Sequence, residues 1–402
     1  MSSSRTSASH PGSTHRARLL ELLATVPDPR DPRGIRHPAG MLLAVGIAAV
    51  LAGSRSYAAI GEWVIDQPSG ALEDLGVSDG SRPEKSCLRR LFARVDADAL
   101  DQVLGAWMFT RTAVLDGRRV IAIDGKTVRG ARTAGASAPH LVAALDHTTG
   151  TVLGQLAVAA KSNEIPAVRD LLANFDLTGV VITVDAMHTQ TDTAQVITAG
   201  GGEYVFTIKG NQPRLHTACK KLPWKDVPAH RVTTTGHGRA VTRTIKVIDA
   251  PAWITFPGAT QLAQVRRTVT KAGKKTIEVV YLLTSAGHDA APPATLAAWV
   301  QGHWGIENRL HWCRDVTFDE DRSQVRTGNA PQIMATLRNT VISLLRLNGW
   351  TNIAAGLRHH ARDPARGCHM PPDLLKHDFA ATLTHPLPPR VGGVSPKPLD
   401  QA

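Results

Sequence analysis

Apolar and polar positions along this chain follow a helical rhythm first, a strand rhythm next, and a mixture after that. From about Thr14 to Thr112 the spacing is helical. ARLLELLATV is one short amphipathic turn-set, stopped by PDPRDPRGIRHP, and Ala39–Leu51 and Tyr57–Ile65 follow. Ser81-Arg82-Pro83-Glu84 has the form of a capping box with proline in the first turn. It predicts a helix carrying Lys85, Arg89, Arg90 and Arg94 around Leu88, Leu91 and Phe92. Asp96 stands where it would cap the next helix, Ala97–Thr110. Near Arg118 the rhythm becomes that of strands. Arg119–Asp124 is an apolar run ending on an acid, with Gly125-Lys126 behind it. His140–Asp146 and Val152–Ala159 flank the turn His147-Thr148-Thr149-Gly150, an antiparallel pair. Asn163 opens a helix to Phe175. GVVITVD (179–185) is a continuous β-branched strand suited to a sheet centre, and it too ends on an acid. Thr191–Ala199 reads as helix and Tyr204–Lys209 as strand.

Three strands, helix, strand, helix, strand is the order of a ribonuclease-H-like core. In such a core three antiparallel strands are extended by parallel ones, and strands one and four lie side by side. Asp124 and Asp185 then end neighbouring strands at the same edge. The expected fold class is α/β, with a ribonuclease-H-like mixed sheet, a β-rich insertion and a small helical N-terminal domain. Residues 1–15 read as a disordered tail, 16–115 as the helical domain, and 116–212 as the first part of the core. Alternating segments with turns at His237-Gly238 and Ala272-Gly273 make 213–290 the insertion. Residues 291–350 return to the core, with helices from about Thr295 through Glu307 and over Pro331–Leu347. Residues 351–385 form a C-terminal helical segment, and the Pro/Gly-rich stretch 386–402 a disordered tail.

Composition narrows the class of partner. Of 402 residues, 43% are hydrophobic and 20% charged, so the chain is globular, and a formal charge of +12 points to a polyanion such as nucleic acid. Residues 16–115, with one strongly basic helix, suit a helix-turn-helix-like DNA reader as well as a solvated bundle. Cys87, Cys219, Cys313 and Cys368 lie far apart, which argues against a zinc knuckle or a disulfide framework and for a reducing, cytoplasmic setting. The basic N-terminus has no apolar segment of the secretory kind. The apolar run Met41–Gly53 is too short for a bilayer, which needs about twenty residues, and reads as a buried helix.

The densest chemistry lies in GHWGIENRLHWCRDVTFDED (302–321). Read as a helix to about Arg314, it fans His303, Glu307 and His311 over roughly 80° of one face. Asp124, Asp185 and Glu307 at one edge of a sheet would make a cage for Mg²⁺ or Mn²⁺. Two such ions about 4 Å apart serve in-line displacement at phosphorus.

Five strings carry a resemblance: IAIDGKTVRGA (121–131), VLGQLAVAAKSNEIPAVRDLL (152–172), VVITVDAMHTQ (180–190), YVFTIKGNQ (204–212) and HWGIENRLHWCRDVTFDEDRSQVR (303–326). Over roughly 18–350 the chain resembles insertion-sequence transposases of the DDE class, in the branch containing the H-repeat-associated proteins. The resemblance implies Asp124, Asp185 and Glu307 as catalytic, metal-holding residues, with two Mg²⁺ or Mn²⁺ ions. It implies cleavage of element ends and strand transfer into target DNA, by a homodimer in the synaptic complex. Such a protein would be cytoplasmic and nucleoid-associated. Related transposases place Tyr, Arg and Lys around the glutamate where this chain has Val300, His303 and Arg314. Hairpin formation is therefore not implied.

Candidate DNA contacts are Lys126, Arg129, Lys161, His188, Lys209, His303, Arg314, Arg89 and Arg90. Trp304 and Trp312 are expected to pack in the core, with base stacking by them or by Trp224 as the alternative. The acids Asp315, Asp319, Glu320 and Asp321 are expected to order the loop by pairing with Arg322 or Arg326. Three rivals are a zinc hydrolase on His303, Glu307 and His311, a transposase-derived protein that only binds DNA, and a ribonuclease or junction nuclease. The spacing H-x₃-E-x₃-H is not H-E-x-x-H, and the zinc reading leaves both aspartates without a role.

Overall fold

The computed structural model describes residues 13–77, 81–112, 118–135, 137–159, 162–236, 238–363 and 366. Six helices come first: α1 (Ser13–Ala24), α2 (Ala39–Leu51), α3 (Tyr57–Asp66), α4 (Ser69–Glu73), α5 (Lys85–Phe92) and α6 (Ala97–Phe109). α1 begins inside the stretch expected to be disordered. Every residue of α2 is buried, so this apolar helix must be covered all round. α1, α3, α5 and α11 (Ala330–Leu347) pack against it. No helix among the described residues is long and apolar enough to cross a membrane.

Asp96 caps α6, accepting from Ala99 N at 3.0 Å. The capping box at Ser81 does not form. Glu84 is the N-cap residue of α5 and makes no side-chain cap, because Pro83 disfavours helical backbone at Arg82. Arg82 instead donates to Val64 O and Gln67 O at the end of α3.

The sheet holds β1 (Arg119–Thr127), β2 (His140–Asp146), β3 (Val152–Ala157), β4 (Val180–Val184) and β5 (Glu203–Ile208), continued by β6 (Ala229–Gly236), β7 (Arg239–Asp249), β8 (Gln261–Lys271) and β9 (Lys274–Thr284). The strand order is β3-β2-β1-β4-β5-β9-β8-β7-β6. β1 pairs antiparallel with β2 and parallel with β4, and strands one and four are neighbours as expected. The β-rich segment is not a separate sheet, for β9 adds antiparallel to β5 and carries the other three strands outward.

Period-two alternation sorts the central strands. Ile121, Ile123, Ile182 and Val184 join the large core shared with α2, α6 and α11, while Val120 and Val181 face the other way. That second face is covered by Leu296 and Trp299 of α10 (Pro293–His303). Between β3 and β5 lie α7 (Glu164–Leu172) and α8 (Thr191–Ala199), and after β5 comes α9 (Pro213–Lys220). α7 is capped by Asn163, which accepts from Ile165 N at 3.0 Å. α12 (Ile353–Ala361) closes the described chain, and the expected tail 386–402 lies outside the described residues.

Candidate active site

Asp124 and Asp185 follow Val120 and Val181 by even steps, so both stand on the face that α10 covers. Ile123 and Val184 are register partners, which sets the two acids at neighbouring strand positions. The chain beyond α10 leaves the regular α-helix. Glu307–His311 and Cys313–Thr317 are π-helical, with Phe318 N–H bonded five residues back to Cys313 O at 3.1 Å. The expected straight helix is thus a wider-wound one, a form frequent at functional sites.

This winding brings Glu307 and His311 onto Asp124. His311 Nδ1 lies 3.1 Å from Glu307 Oε2 and 3.6 Å from Asp124 Oδ2. Donor atoms of Asp124, Glu307 and His311 all lie within 4.8 Å of one another. Asp185 is exposed and stands outside that set, although its charge reaches Asp124. Burial raises the Asp124 carboxyl above the usual range, opposed by His311 and the Gly125 N–H, and Asp185 and Glu164 push it further up. The hydrogen bond from His311 lowers Glu307, with Lys126 adding to the effect. Carboxylates that crowd and repel beside an imidazole form a donor set that a divalent cation would stabilise, so these residues fit a metal ion.

A supporting layer was not legible in the sequence. Glu164, in the first turn of α7, pairs with both His140 Nε2 and His188 Nε2. Those hydrogen bonds hold its carboxyl at about 2. It packs so close to β1 that a Cβ at Gly125 would fall 2.6 Å from its carboxylate. On β4, Thr183 Oγ1 meets His303 Nδ1 at 3.0 Å and His147 Nε2 at 3.1 Å. The loop behind Asp185 is tied to β5, with the Thr189 hydroxyl donating to Thr207 O at 2.7 Å. The only sequence signal for Glu164 was its place next to a helix cap, which any acid could fill.

Several expected DNA contacts prove to be engaged elsewhere. Lys126 is buried and bonds Asp315 Oδ1 at 2.6 Å. His188 is fully buried on Glu164. Arg314 is fully buried, bonded to Glu320 at 2.8–3.0 Å and to Gln155 Oε1 at 3.3 Å. A guanidinium so enclosed is closed to phosphate. Burial lowers the pKa of His303, so at neutral pH its ring is uncharged rather than a cationic phosphate ligand. Arg129, Lys209, Arg89 and Arg90 are exposed, and Lys161 lies outside the described residues. Among the loop acids, Asp319 does approach Arg322, at 3.8 Å, but Asp321 faces Arg129 at 3.6 Å. Arg326 donates to Gly130 O instead.

The tryptophans also reverse expectation. Trp304 and Trp312 are 63% and 54% exposed, on the same winding as Glu307, so they do not pack in the core. Trp224 is buried, its Nε1 donating to Cys219 O at 2.7 Å, and cannot stack on a base. Beside it the β6–β9 face forms a cleft of about 920 Å³ lined by Lys220, Lys225, Arg231, Lys246, Arg266 and Lys275, with Asp226 the one acid among its described lining residues.

Fold and site together define a mixed α/β protein with a carboxylate–imidazole cluster beside the ends of its central parallel strands. Residues 115–344 match the family described as transposase DDE domain, and residues 20–108 match the family described as DDE_Tnp_1-associated. The chain belongs to the DDE-domain transposase family. It is 33% identical to "Putative transposase YncI" of Escherichia coli O157:H7, over 82% of this chain and 87% of that one. It is 32% identical to "H repeat-associated putative transposase YhhI" of Escherichia coli (strain K12), over 87% of this chain and 95% of that one. The cryo-EM structure of piggyBac transposase synaptic complex with hairpin DNA aligns over 87% of this chain and 77% of that chain, at 11% identity and a TM-score of 0.41, a likeness too distant to argue from.

Proposed function

We propose that this protein is the DNA transposase of an insertion sequence, which cleaves the element's ends and joins them to target DNA. The observation that carries the proposal is the meeting of Asp124 and Glu307, one from the first strand and one from the late helix, beside the strand-end Asp185. In a member of this family, on a sheet of ribonuclease-H-like order, these three residues are the metal-holding acids. Mg²⁺ or Mn²⁺ is the expected cofactor, as two ions. When bound, they supply activation of the attacking water or 3′-hydroxyl and stabilisation of the leaving oxygen.

The protein's own residues divide the remaining work. Asp124 and Glu307 are kept in place by Gly125 N–H and by His311. Lys126 ties β1 to the π-helical winding, and His303 fixes α10 to Thr183 on β4. Arg129 and Lys209 lie exposed, and Arg89 and Arg90 present a basic face on α5. With the basic cleft of the outer strands they would hold duplex phosphates, in two copies of the chain for synapsis.

The test is cleavage of a labelled duplex carrying the element's own end, in Mg²⁺ or Mn²⁺, by wild type, Asp124→Asn, Asp185→Asn and Glu307→Gln. Metal-dependent nicking that each substitution abolishes, with end binding retained, is the expected result. Cleavage that survives in any variant overturns that residue's assignment. Tight binding without cleavage by wild type would favour a transposase-derived protein that only binds DNA.

A further inference from the structure

His311 occupies a place that the three acids alone do not explain. Its ring is 5% exposed, and among the described residues its Nε2 has no hydrogen-bond partner. Its other nitrogen, Nδ1, points at the oxygens of Glu307 and Asp124, 3.1 and 3.6 Å away. Adjacent donors on an octahedral ion about 2.1 Å from each would be roughly 3 Å apart. His311 Nδ1 and Glu307 Oε2 already have that spacing, Asp124 Oδ2 stands 3.6 Å from the same nitrogen, and all three donor atoms lie within 4.8 Å of one another, so a small inward shift around an ion would complete the set. A ring that served only to orient Glu307 would not also need to approach Asp124.

We propose that His311 Nδ1 is a metal ligand, so that one cation position is a mixed site of Asp124, Glu307 and His311 rather than a cage of carboxylates. The inference rests on the reading of Asp124 and Glu307 as metal-holding acids. Coordination leaves the ring neutral with its single proton on Nε2, the nitrogen that has no other partner. Mg²⁺ favours oxygen donors and holds its waters, whereas an imidazole nitrogen favours later first-row cations. The site accordingly binds Mn²⁺ in preference to Mg²⁺, and His311 is the residue that sets the preference.

The experiment is pulsed electron paramagnetic resonance of Mn²⁺ bound to the purified full chain. Wild type is expected to show modulation from a directly coordinated nitrogen-14. His311→Gln should retain bound Mn²⁺ and lose that modulation, with its Mn²⁺/Mg²⁺ affinity ratio falling about tenfold. Bound Mn²⁺ without nitrogen coupling in wild type overturns the proposal and needs no variant to fold. A nitrogen signal that persists in His311→Gln overturns it too. Asp124→Asn separates the two levels. Mn²⁺ binding unaffected by that substitution would mean that the carboxylate site itself is misassigned.

Discussion

Lys126 and Asp315, 189 positions apart in the chain, meet with Nζ 2.6 Å from Oδ1. The pair joins the strand bearing Asp124 to the π-helical turns that follow Glu307, so it sets the distance between the two acids. Asp315→Asn leaves a buried ammonium without its carboxylate. Asp315 is 34% exposed, so the expected loss is about 1–3 kcal/mol, below that for a fully enclosed pair. Urea unfolding measures it. Adding Lys126→Met should recover most of the stability, and no recovery would mean that the two do not act as a pair.

Glu164 touches no donor of the proposed metal site but holds His140 and His188 behind Asp124 and the turn after Asp185. Glu164→Gln should lower metal affinity or cleavage by about tenfold, the low end of the range for groups that bond a ligand directly, because Glu164 acts on Asp124 only through its charge and packing. Binding of the element's end should change little. Metal titration followed by the cleavage assay checks this, and a change under about threefold would reduce the cluster to packing.

Glu320 is fully buried between Arg314 and Arg338, whose guanidinium groups lie 2.8 Å from its two oxygens. Burial would raise its pKa, but the two arginines outweigh it and hold the carboxyl at about 2. Glu320→Gln strands two buried cations and is expected to destabilise by about 3–5 kcal/mol. Because the folded value is depressed, the contribution is complete above pH 4.5 and is lost as pH falls toward 2. Denaturant midpoints at neutral and acid pH test both statements.

Asp101 gives the opposite dependence. Burial raises its carboxyl to about 7, against the hydrogen bonds from Gln332, Thr336 and Gln155. A raised folded value stabilises below the unfolded value of 3.8, and that stability is lost as pH rises through about 7. The bond set joins α6 to α11 and β3, so unfolding should begin more easily at pH 8 than at pH 6. Asp101→Asn should flatten that limb of the stability–pH profile. An unchanged slope would remove Asp101 as its source.

Trp304 and Trp312 stand in solvent on the winding of Glu307. Trp304→Ala and Trp312→Ala should each alter stability by no more than about 0.5 kcal/mol. If the indoles meet unpaired bases, each substitution should weaken DNA binding by about 1–3 kcal/mol. Calorimetric melting and a binding titration with single-stranded overhangs decide it.

The sequence by itself determined the order of elements, the strands that end in Asp124 and Asp185, the caps at Asp96 and Asn163, and the neighbourhood of Glu307. These follow from alternation, cap chemistry and apolar runs, which are local properties. Strand order placed β1 beside β4 because the connections leave few alternatives. Only the tertiary structure decided what each charge does. Lys126, His188 and Arg314 read as phosphate ligands because charge in a sequence carries no depth, and all three are buried on acids, Lys126 and His188 on acids of other elements and Arg314 on Glu320 six residues on. Trp304 and Trp312 read as core for the converse reason, since an apolar side chain carries no depth in a sequence either, and both stand in solvent, Trp304 at the end of α10 and Trp312 between the two π-helical segments. His311 entered as half of a rejected zinc pair and became the third donor, because its partners come from β1 and from the same wide turn. A partner across many residues of chain is chosen by packing, and packing is a property of the folded whole.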